Sequence, residues 1–233
     1  FLIKNLEKSI KIVRFIENMK KLHALVLGAS GATGRELVQL LLDDSNFNQV
    51  SIFVRTVPKI SDKKLTIHKI DFAKLEEYKD LIKGDILFSA LGTTKKEAGG
   101  KKEQYLVDYT YQYEFAKMAS DNGVTNYSLV SSTGANSNSS FFYPKIKGEL
   151  EESVKKLNFK KIDIFQSPML IRQPDLMRSG EKSGIKFLNA VNKIGVLKSQ
   201  KPLNVKDLAL KMIKEALNIR EERITTFTTK VLF

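Results

Sequence analysis

The sequence predicts an α/β protein with a doubly wound parallel sheet and helices on both of its faces. Short apolar, β-branched runs alternate with helical stretches through most of the 233 residues. A glycine-rich segment joins the first such run to the first helical stretch. Strands that alternate with helices form βαβ units, and these units place their strands parallel in one covered sheet.

The elements follow from local patterns along the chain. Apolar, β-branched runs predict strands, whereas apolar residues three or four positions apart predict helices. Asn122-Gly123 is a typical helix C-terminal signal and separates a long central helix from the next strand. In chain order, we predict strand Leu22–Leu27, helix Gly31–Asp44, strands Val50–Val54, Leu65–Ile70 and Ile86–Ser89, helix Glu103–Asn122, strand Tyr127–Val130, helix Lys145–Leu157, strand Ile162–Phe165 and helix Val205–Leu217.

Residues 1–18 have a different pattern, in which apolar and basic side chains alternate at the spacing of a short amphipathic helix. Such a helix fits a membrane surface or a targeting segment, but Met19 looks like a natural start directly before the first strand. We therefore predict an N-terminal extension at 1–20, upstream of the natural start or derived from expression. Residues 21–233 are predicted to form a single domain, with a small substrate-side region at 168–201.

The charge and the composition limit the classes of partner. The chain has 39 Lys+Arg and 26 Asp+Glu, a net charge of +13, but its lysines are dispersed, which is typical of a solvated surface. We therefore expect neither nucleic acid nor a membrane as a partner. The alternative, which rests only on the net charge, is a nucleic-acid-binding protein whose binding depends steeply on salt. No apolar run approaches the roughly 20 residues of a membrane-spanning helix. With no Cys and two His, the chain predicts no disulfide, no thiolate chemistry and no metal site.

Three glycines at a spacing of three, Gly28, Gly31 and Gly34, follow the first predicted strand. The first permits a tight turn, the second lets the backbone approach a phosphate, and the third lets helix and sheet pack closely. The helix N-terminus adds free N–H groups and a positive dipole. This segment predicts a pyrophosphate cradle in a Rossmann-type fold; a purely structural turn is the alternative. The predicted cofactor contacts of this turn are Gly28, Ser30, Gly31, Ala32, Thr33 and Gly34.

Arg55 ends the second predicted strand, where an NAD-binding protein usually has Asp or Glu. A carboxylate there would accept from the ribose 2′-hydroxyl, whereas a guanidinium donates to a 2′-phosphate in a contact of about 1.5–3 kcal/mol. The sequence therefore favours NADP(H) over NAD(H), with Ser30 and Arg35 as further candidate contacts. The alternative for Arg55 is a solvated charge at the end of a strand.

Tyr143 and Lys147 are four residues apart at the start of a predicted helix, which places both side chains on one helical face. A phenol is a weak proton donor at pH 7 until a nearby ammonium stabilises its phenolate and lowers its pKa. Tyr143 would then exchange a proton with a carbonyl or alcohol oxygen that Ser132, or its neighbour Ser131, holds. The alternative is an aromatic residue packed at a helix start beside a surface lysine.

These residues resemble the short-chain dehydrogenase/reductase superfamily in its atypical branch, and within it the Tat-interactive-protein-like and NmrA-like proteins. The resemblance covers nearly all of residues 22–217. It is carried by Gly-Ala-Ser-Gly-Ala-Thr-Gly-Arg at 28–35, Ser-Ala-Leu-Gly-Thr-Thr at 89–94, Val-Asp-Tyr at 107–109, Ser-Ser-Thr-Gly-Ala at 131–135, and Tyr143 with Lys147.

The resemblance implies a Rossmann domain that binds NADPH, with Tyr143 and Lys147 among the cofactor contacts. Asp71 and Phe72, after the third strand, would border the adenine. Pro168, after the sixth strand, would lie near the nicotinamide. The residues implied to line the ribose and the pyrophosphate are Ala90, Leu91, Gly92 and Thr93.

The chain departs from the family pattern at two places. Ser167-Pro168-Met169 stands where Arg-Pro-Gly is frequent, so the nicotinamide end is expected to differ in shape. Pro144 disfavours helical geometry at the preceding Tyr143. We therefore expect Tyr143 at the helix cap and Pro144 at the first helical position.

The function that these patterns favour is a cytoplasmic, NADPH-dependent oxidoreductase of the carbonyl reductase type, acting on a small carbonyl or alcohol substrate. Tyr143 would be the acid/base, Lys147 its modulator and ribose anchor, and Ser132 the donor to the substrate oxygen. The alternative is an NADP(H)-binding regulatory protein that acts through protein partners without turnover. The sequence does not decide whether the chain binds a protein partner or forms a homodimer.

Overall fold

A computed structural model describes residues 21–177 and 202–232. Within these ranges, seven strands form one parallel sheet in the order β3-β2-β1-β4-β5-β6-β9. A separate two-stranded parallel pair joins β7 to β8. The bounds of the strands are β1 Leu22–Leu27, β2 Phe47–Val54, β3 Leu65–Lys69, β4 Ile86–Ser89, β5 Asn126–Ser132, β6 Lys161–Ser167, β7 Leu170–Ile171, β8 Leu203–Asn204 and β9 Ile224–Phe227.

The helices cover both faces of the sheet. In the described part of the chain, two 3₁₀ helices, Phe72–Leu81 and Pro174–Leu176, and one π-helical turn, Leu106–Thr110, lie between the α-helices. The α-helices are α1 Ala32–Asp43, α2 Lys95–Ala98, α3 Lys101–Tyr105, α4 Tyr111–Asp121, α5 Phe142–Val154, α6 Val205–Leu217 and α7 Thr229–Leu232.

The core consists of two apolar layers, one on each face of the sheet. Helices α1 and α6 pack together on one face, where Leu37, Leu41 and Met212 are fully buried. Helices α4 and α5 cover the other face, through residues such as Phe115 and Leu150. Because the centres of β1 and β4 are buried on both sides, Ala24–Leu27 and Ile86–Phe88 are continuous apolar runs rather than alternating ones.

The predicted Rossmann-type α/β class is confirmed, and β1, β4 and α6 have the predicted bounds. The predicted central helix Glu103–Asn122 is instead three segments, α3, the π-helical turn and α4. The edge strand β9 and the β7–β8 pair were not predicted. Each of these strands has only two to four residues, which is too short to show a hydrophobic period.

Helix α5 begins three residues earlier than predicted. Tyr143 is its second residue and Pro144 its third, so the prediction that Tyr143 caps the helix and Pro144 opens it was wrong. The first-turn N–H groups of a helix have no acceptor within it, and a proline there costs no helical hydrogen bond. Tyr143 and Lys147 therefore share one helix, four residues apart.

The predicted extension at 1–20 lies outside the described residues, as does most of the predicted substrate-side region at 168–201, of which only 168–177 are described. Across residues 21–177 and 202–232, no helix is both long enough and apolar enough to cross a bilayer.

Candidate functional site

Two adjoining cavities lie at the carboxyl ends of the central strands. One, the Tyr143 cavity, has a volume of about 470 Å³; the other, the Arg55 cavity, has a volume of about 460 Å³. They share a wall formed by Gly31 and by residues 90–93, so together they form one groove. The groove lies beside β1 and β4, where the strand order reverses direction. This switch point is the usual ligand site of an open α/β sheet.

The glycine turn is shaped by close backbone approach. Gly28 has a φ of +85°, and a Cβ atom there would lie 2.5 Å from the Leu91 nitrogen. A Cβ on Gly34 would collide with the carbonyl oxygen of Gly28. Gly31 is the N-cap of α1, whose first turn contains no acidic residue. The start of α1 therefore presents N–H groups and a positive dipole to the groove, as an anion site requires.

Arg55 directly follows β2 and lines the Arg55 cavity together with Gly28 and Ser30. Its side chain is exposed, and it has no ion-pair partner among the described residues. Arg35 does not line either cavity, and its Nη1 atom lies 2.5 Å from Asp175 Oδ2. Of the two arginines, Arg55 is therefore the one available to a ligand in the groove.

Tyr143 and Lys147 both line the Tyr143 cavity. Tyr143 is 41% exposed at its mouth, whereas Lys147 is only 3% exposed. The ammonium of Lys147 donates to the Val130 carbonyl at 3.3 Å, and its Nζ lies 4.0 Å from Asp108 Oδ1. The helix thus brings a solvent-accessible phenol and a buried cation to the same cavity.

The two predicted serines have different environments at the end of β5. Ser131 is buried, and its hydroxyl donates to the carboxylate of Glu151. Ser132 is half-buried and makes one long hydroxyl contact, 3.4 Å to the Thr133 carbonyl. Since both line the Tyr143 cavity, Ser132 has the hydroxyl more available to a substrate oxygen.

Of the remaining residues predicted to contact the cofactor, some line the groove and others do not. Ala32, Thr33 and Pro168 line the Tyr143 cavity. Gly34 lines neither cavity.

The two residues predicted to border the adenine also lie outside the lining of both cavities. Asp71 accepts from the Ala73 nitrogen at 2.9 Å and caps the 3₁₀ helix. Phe72 is buried with its ring 5.7 Å from that of Tyr111, which does line the Arg55 cavity.

Two charged residues of the Tyr143 cavity had no predicted role, Asp108 and Arg172. Asp108 belongs to a stripe of buried polar residues at every fourth position, Gln104, Asp108 and Gln112. This spacing is visible in the sequence and could have indicated buried polar contacts, because buried polar side chains are nearly always hydrogen-bonded. Arg172 follows the short strand β7. No local sequence pattern indicates where that strand lies in the fold.

Another charged cluster lies at the opposite end of the sheet and has a structural role. Lys161, at the start of β6, donates to the Asn218 carbonyl at 2.6 Å and to the carbonyls of Glu215 and Ala216. Burial lowers the pKa of Lys161 to about 8. This cluster secures the end of α6 against the sheet. Within the described part of the chain, no group of three or more His, Cys, Asp or Glu side chains is placed to hold a metal ion.

Comparison with known proteins finds relatives that match most of the chain. A family described as NAD(P)H-binding matches residues 28–160, more than half of the chain. Protein HTATIP2 of Rattus norvegicus is 33% identical over 178 residues, covering 74% of this chain and 73% of that protein. Protein FMP52-1, mitochondrial, of Scheffersomyces stipitis is 34% identical over 180 residues, covering 75% of each. The WbmG enzyme of Bordetella bronchiseptica, solved with NAD, has a TM-score of 0.68 at 12% identity, covering 91% of this chain and 74% of that one.

The predicted cytoplasmic location was wrong. The relative from Scheffersomyces stipitis is named as mitochondrial, as are FMP52 proteins from other fungi. The glycine turn and the Tyr143–Lys147 pair, from which the function was predicted, carry no information about the cellular compartment.

Proposed function

The chain belongs to the atypical short-chain dehydrogenase/reductase family of NAD(P)-binding Rossmann proteins, and on that premise we propose that it is an NADPH-dependent oxidoreductase of the carbonyl reductase type. One observation carries the proposal. The groove has a glycine turn at its centre, Arg55 at one end, and Tyr143 with Lys147 at the other. A dinucleotide that spans this groove would place its two ends beside chemically different residues.

The residues of the groove fit such a cofactor. Gly28 and Gly31 line the Arg55 cavity at the start of α1, which attracts negative charge, so a diphosphate would lie there. Arg55 and Ser30 would hold the adenosine end, and Arg55 would pair with a 2′-phosphate. Lys147 would hold the nicotinamide ribose, next to Gly92 and Thr93. When bound, the nicotinamide supplies or accepts hydride.

The chain's own residues supply the proton chemistry. Tyr143 would donate its hydroxyl proton to the carbonyl oxygen of the substrate, and Ser132 would hold that oxygen by a hydrogen bond. The ammonium of Lys147 would stabilise the phenolate that remains. Tyr143 is exposed at the cavity mouth, so a small carbonyl compound can reach it. The proposed partner is therefore a small molecule.

The proposal is tested by fluorescence titration of the purified protein with NADPH and with NADH, followed by a screen of aldehydes, ketones and quinones for cofactor oxidation. We expect tight binding of NADPH, weaker binding of NADH, and turnover of at least one carbonyl class. Binding without turnover across the screen would favour a regulatory NADP(H)-binding protein instead. Absence of binding would overturn the proposal.

A substitution of Arg55 tests the preference for NADPH. We expect Arg55→Ala to raise the Kd for NADPH about tenfold and to leave the Kd for NADH unchanged. The expected effect is at the lower end for a charge-assisted contact because the side chain is exposed. Lys59→Ala is the matched control, since Lys59 is exposed and lines neither cavity. Equal losses for both cofactors would contradict the role assigned to Arg55.

A further inference from the structure

We infer that Glu151 is a positioning residue for the Ser131 hydroxyl, and that the pair selects the class of carbonyl substrate. The buried carboxylate of Glu151 would keep the Ser131 proton turned away from the Tyr143 cavity, so that the Ser131 oxygen can only accept a hydrogen bond. A substrate with its own hydrogen-bond donor beside the carbonyl, such as an α-hydroxy ketone, would then be preferred. The inference rests on the proposed function, because it concerns the substrate of the same cavity.

Glu151 lies along the side of helix α5 that carries the proposed acid/base pair. It follows Lys147 by four residues and Tyr143 by eight, which is the repeat of a helical face. Lys147 and Tyr143 line the cavity, whereas Glu151 is 4% exposed and does not line it. Glu151 can therefore act on a substrate only through a neighbour. Ser131 is such a neighbour, because it lines the cavity and contacts Glu151.

The carboxylate of Glu151 accepts each of the hydrogen bonds that the described structure gives it. The Ser131 hydroxyl donates to Oε1, and Nε2 of Gln166 donates at 3.2 Å to Oε1 and at 3.1 Å to Oε2. Ser131 and Gln166 are partners across strands β5 and β6, so two neighbouring strand ends hold the same carboxylate. An ionised carboxylate has no proton to donate, and donors on both of its oxygens are what it requires.

Burial keeps the Ser131 proton on Glu151. Ser131 is 3% exposed, and in the described part of the chain no Lys or Arg nitrogen forms an ion pair with the Glu151 carboxylate. A hydrogen bond to a charged acceptor is roughly twice as strong as one between neutral groups. If the Ser131 hydroxyl turned to a substrate carbonyl, it would exchange the stronger bond for a weaker one. It would also remove a donor from a buried charge, which is costly.

The direction of this hydrogen bond decides what Ser131 offers to a ligand. A serine hydroxyl has one proton and two acceptor lone pairs. With its proton on Glu151, Ser131 has only lone pairs left for the Tyr143 cavity. Ser132, whose only hydroxyl contact in the described structure is 3.4 Å long, keeps its proton available for the substrate carbonyl. Because the two serines are consecutive at the end of β5, the carbonyl and the donor would belong to one small molecule.

The test compares hydroxyacetone with butanone, two ketones that differ by a hydroxyl in place of a methyl group. The kcat/KM of each ketone, the Kd for NADPH and the urea midpoint of unfolding are measured for the full chain and for Ser131→Ala, Glu151→Gln and Glu151→Met. Ser128→Ala and Glu152→Gln are the controls. Ser128 is a buried serine of the same strand that lines neither cavity. Glu152 is exposed and pairs with Lys155 at 2.7 Å.

We expect the wild-type protein to prefer hydroxyacetone about tenfold in kcat/KM, which is the effect of one hydrogen bond. Ser131→Ala loses this preference, while its Kd for NADPH and its kcat/KM for butanone stay within about threefold of wild type. Glu151→Met also loses the preference, because the released Ser131 hydroxyl can donate. Glu151→Gln retains part of it, since the amide keeps an acceptor oxygen for Ser131. Both controls keep the wild-type preference.

If Glu151→Met does not fold, a full loss of preference in Ser131→Ala together with a partial loss in Glu151→Gln supports the inference. A preference that survives in Ser131→Ala would overturn it, because the Ser131 oxygen would then not bind the substrate donor. A preference lost in Ser131→Ala but unchanged in the folded Glu151 variants would show that Glu151 does not direct the hydroxyl. Equal losses of kcat/KM for both ketones in those variants, with a lower urea midpoint, would show that Glu151 only stabilises the fold.

Failure of the inference can be distinguished from failure of the proposed function. A wild-type protein that binds NADPH and reduces other carbonyl compounds, but shows no preference for hydroxyacetone, would overturn the inference and leave the proposed function in place. A wild-type protein that binds no NADPH would overturn the proposed function, and with it the substrate preference.

Discussion

Replacement of Tyr143 by phenylalanine is expected to lower kcat about a thousandfold while the Kd for NADPH stays within about threefold of wild type, since a positioned acid/base typically contributes 10²–10⁴ in rate. The substitution removes one hydroxyl and keeps the ring in place on α5. The ring is 41% exposed at the cavity mouth, so the loss of the hydroxyl leaves no buried polar group unsatisfied. The measurement is steady-state turnover of a carbonyl compound, combined with fluorescence titration of NADPH.

Tyr109→Phe is the matched control for this prediction. Its hydroxyl lies 3.0 Å from the Ser153 hydroxyl, and Tyr109 lines neither cavity. We expect this variant to retain wild-type kcat. Unchanged turnover in Tyr143→Phe, or loss of NADPH binding in that variant, would show that Tyr143 is not the acid/base of the reaction.

Gly28→Ala is expected to destabilise the fold by about 3 kcal/mol or more, and to abolish NADPH binding. Part of this cost is the left-handed backbone of Gly28, with a φ of +85°, which costs a residue with a Cβ roughly 1–2 kcal/mol. The rest is steric, because the new Cβ would lie 2.5 Å from the Leu91 nitrogen and 2.6 Å from the Ala90 carbonyl carbon. Chemical unfolding and NADPH titration measure the two effects.

Gly123→Ala separates the two costs of the Gly28 substitution. Gly123 has a similar backbone φ of +86°, but a Cβ there would have no atom within 4 Å other than those of Gly123 and its two chain neighbours. We expect this variant to lose only about 1–2 kcal/mol, the cost of the left-handed conformation, and to bind NADPH normally. Equal destabilisation in the two variants would mean that the approach of the β4 loop to Gly28 is not what requires glycine there.

Local sequence patterns predicted the parallel sheet and several residues that line the groove. The alternation of strands and helices indicated the parallel sheet, and the glycine spacing indicated the turn between β1 and α1. Arg55 was also predictable, because it directly follows β2 and the end of that strand lies at the same sheet edge as the glycine turn. Tyr143 and Lys147 were predictable as a pair since four residues is the repeat of a helical face.

Other features depended on contacts between distant parts of the chain. The π-helical turn at 106–110 interrupts a segment whose sequence predicts one continuous helix. The two predicted serines were indistinguishable until the fold placed the Ser131 hydroxyl against Glu151, twenty residues away. The edge strand β9 pairs with β6 more than fifty residues before it. Its residues, Ile-Thr-Thr-Phe, are of strand-favouring types, but a run of four is too short to show a period or to indicate its partner strand.

By itself, therefore, the sequence determined the fold class, the glycine turn and the spacing of Tyr143 and Lys147, because hydrophobic period, helical repeat and glycine geometry are local properties. Only the tertiary structure decided that Asp108 lies against Lys147, that Ser132 is the more available serine, and that Asp71 lies outside the groove. Those outcomes depend on which side chains meet after strands distant in sequence become neighbours in the sheet. Burial then determines the cost of each charge, and burial is a property of the whole fold.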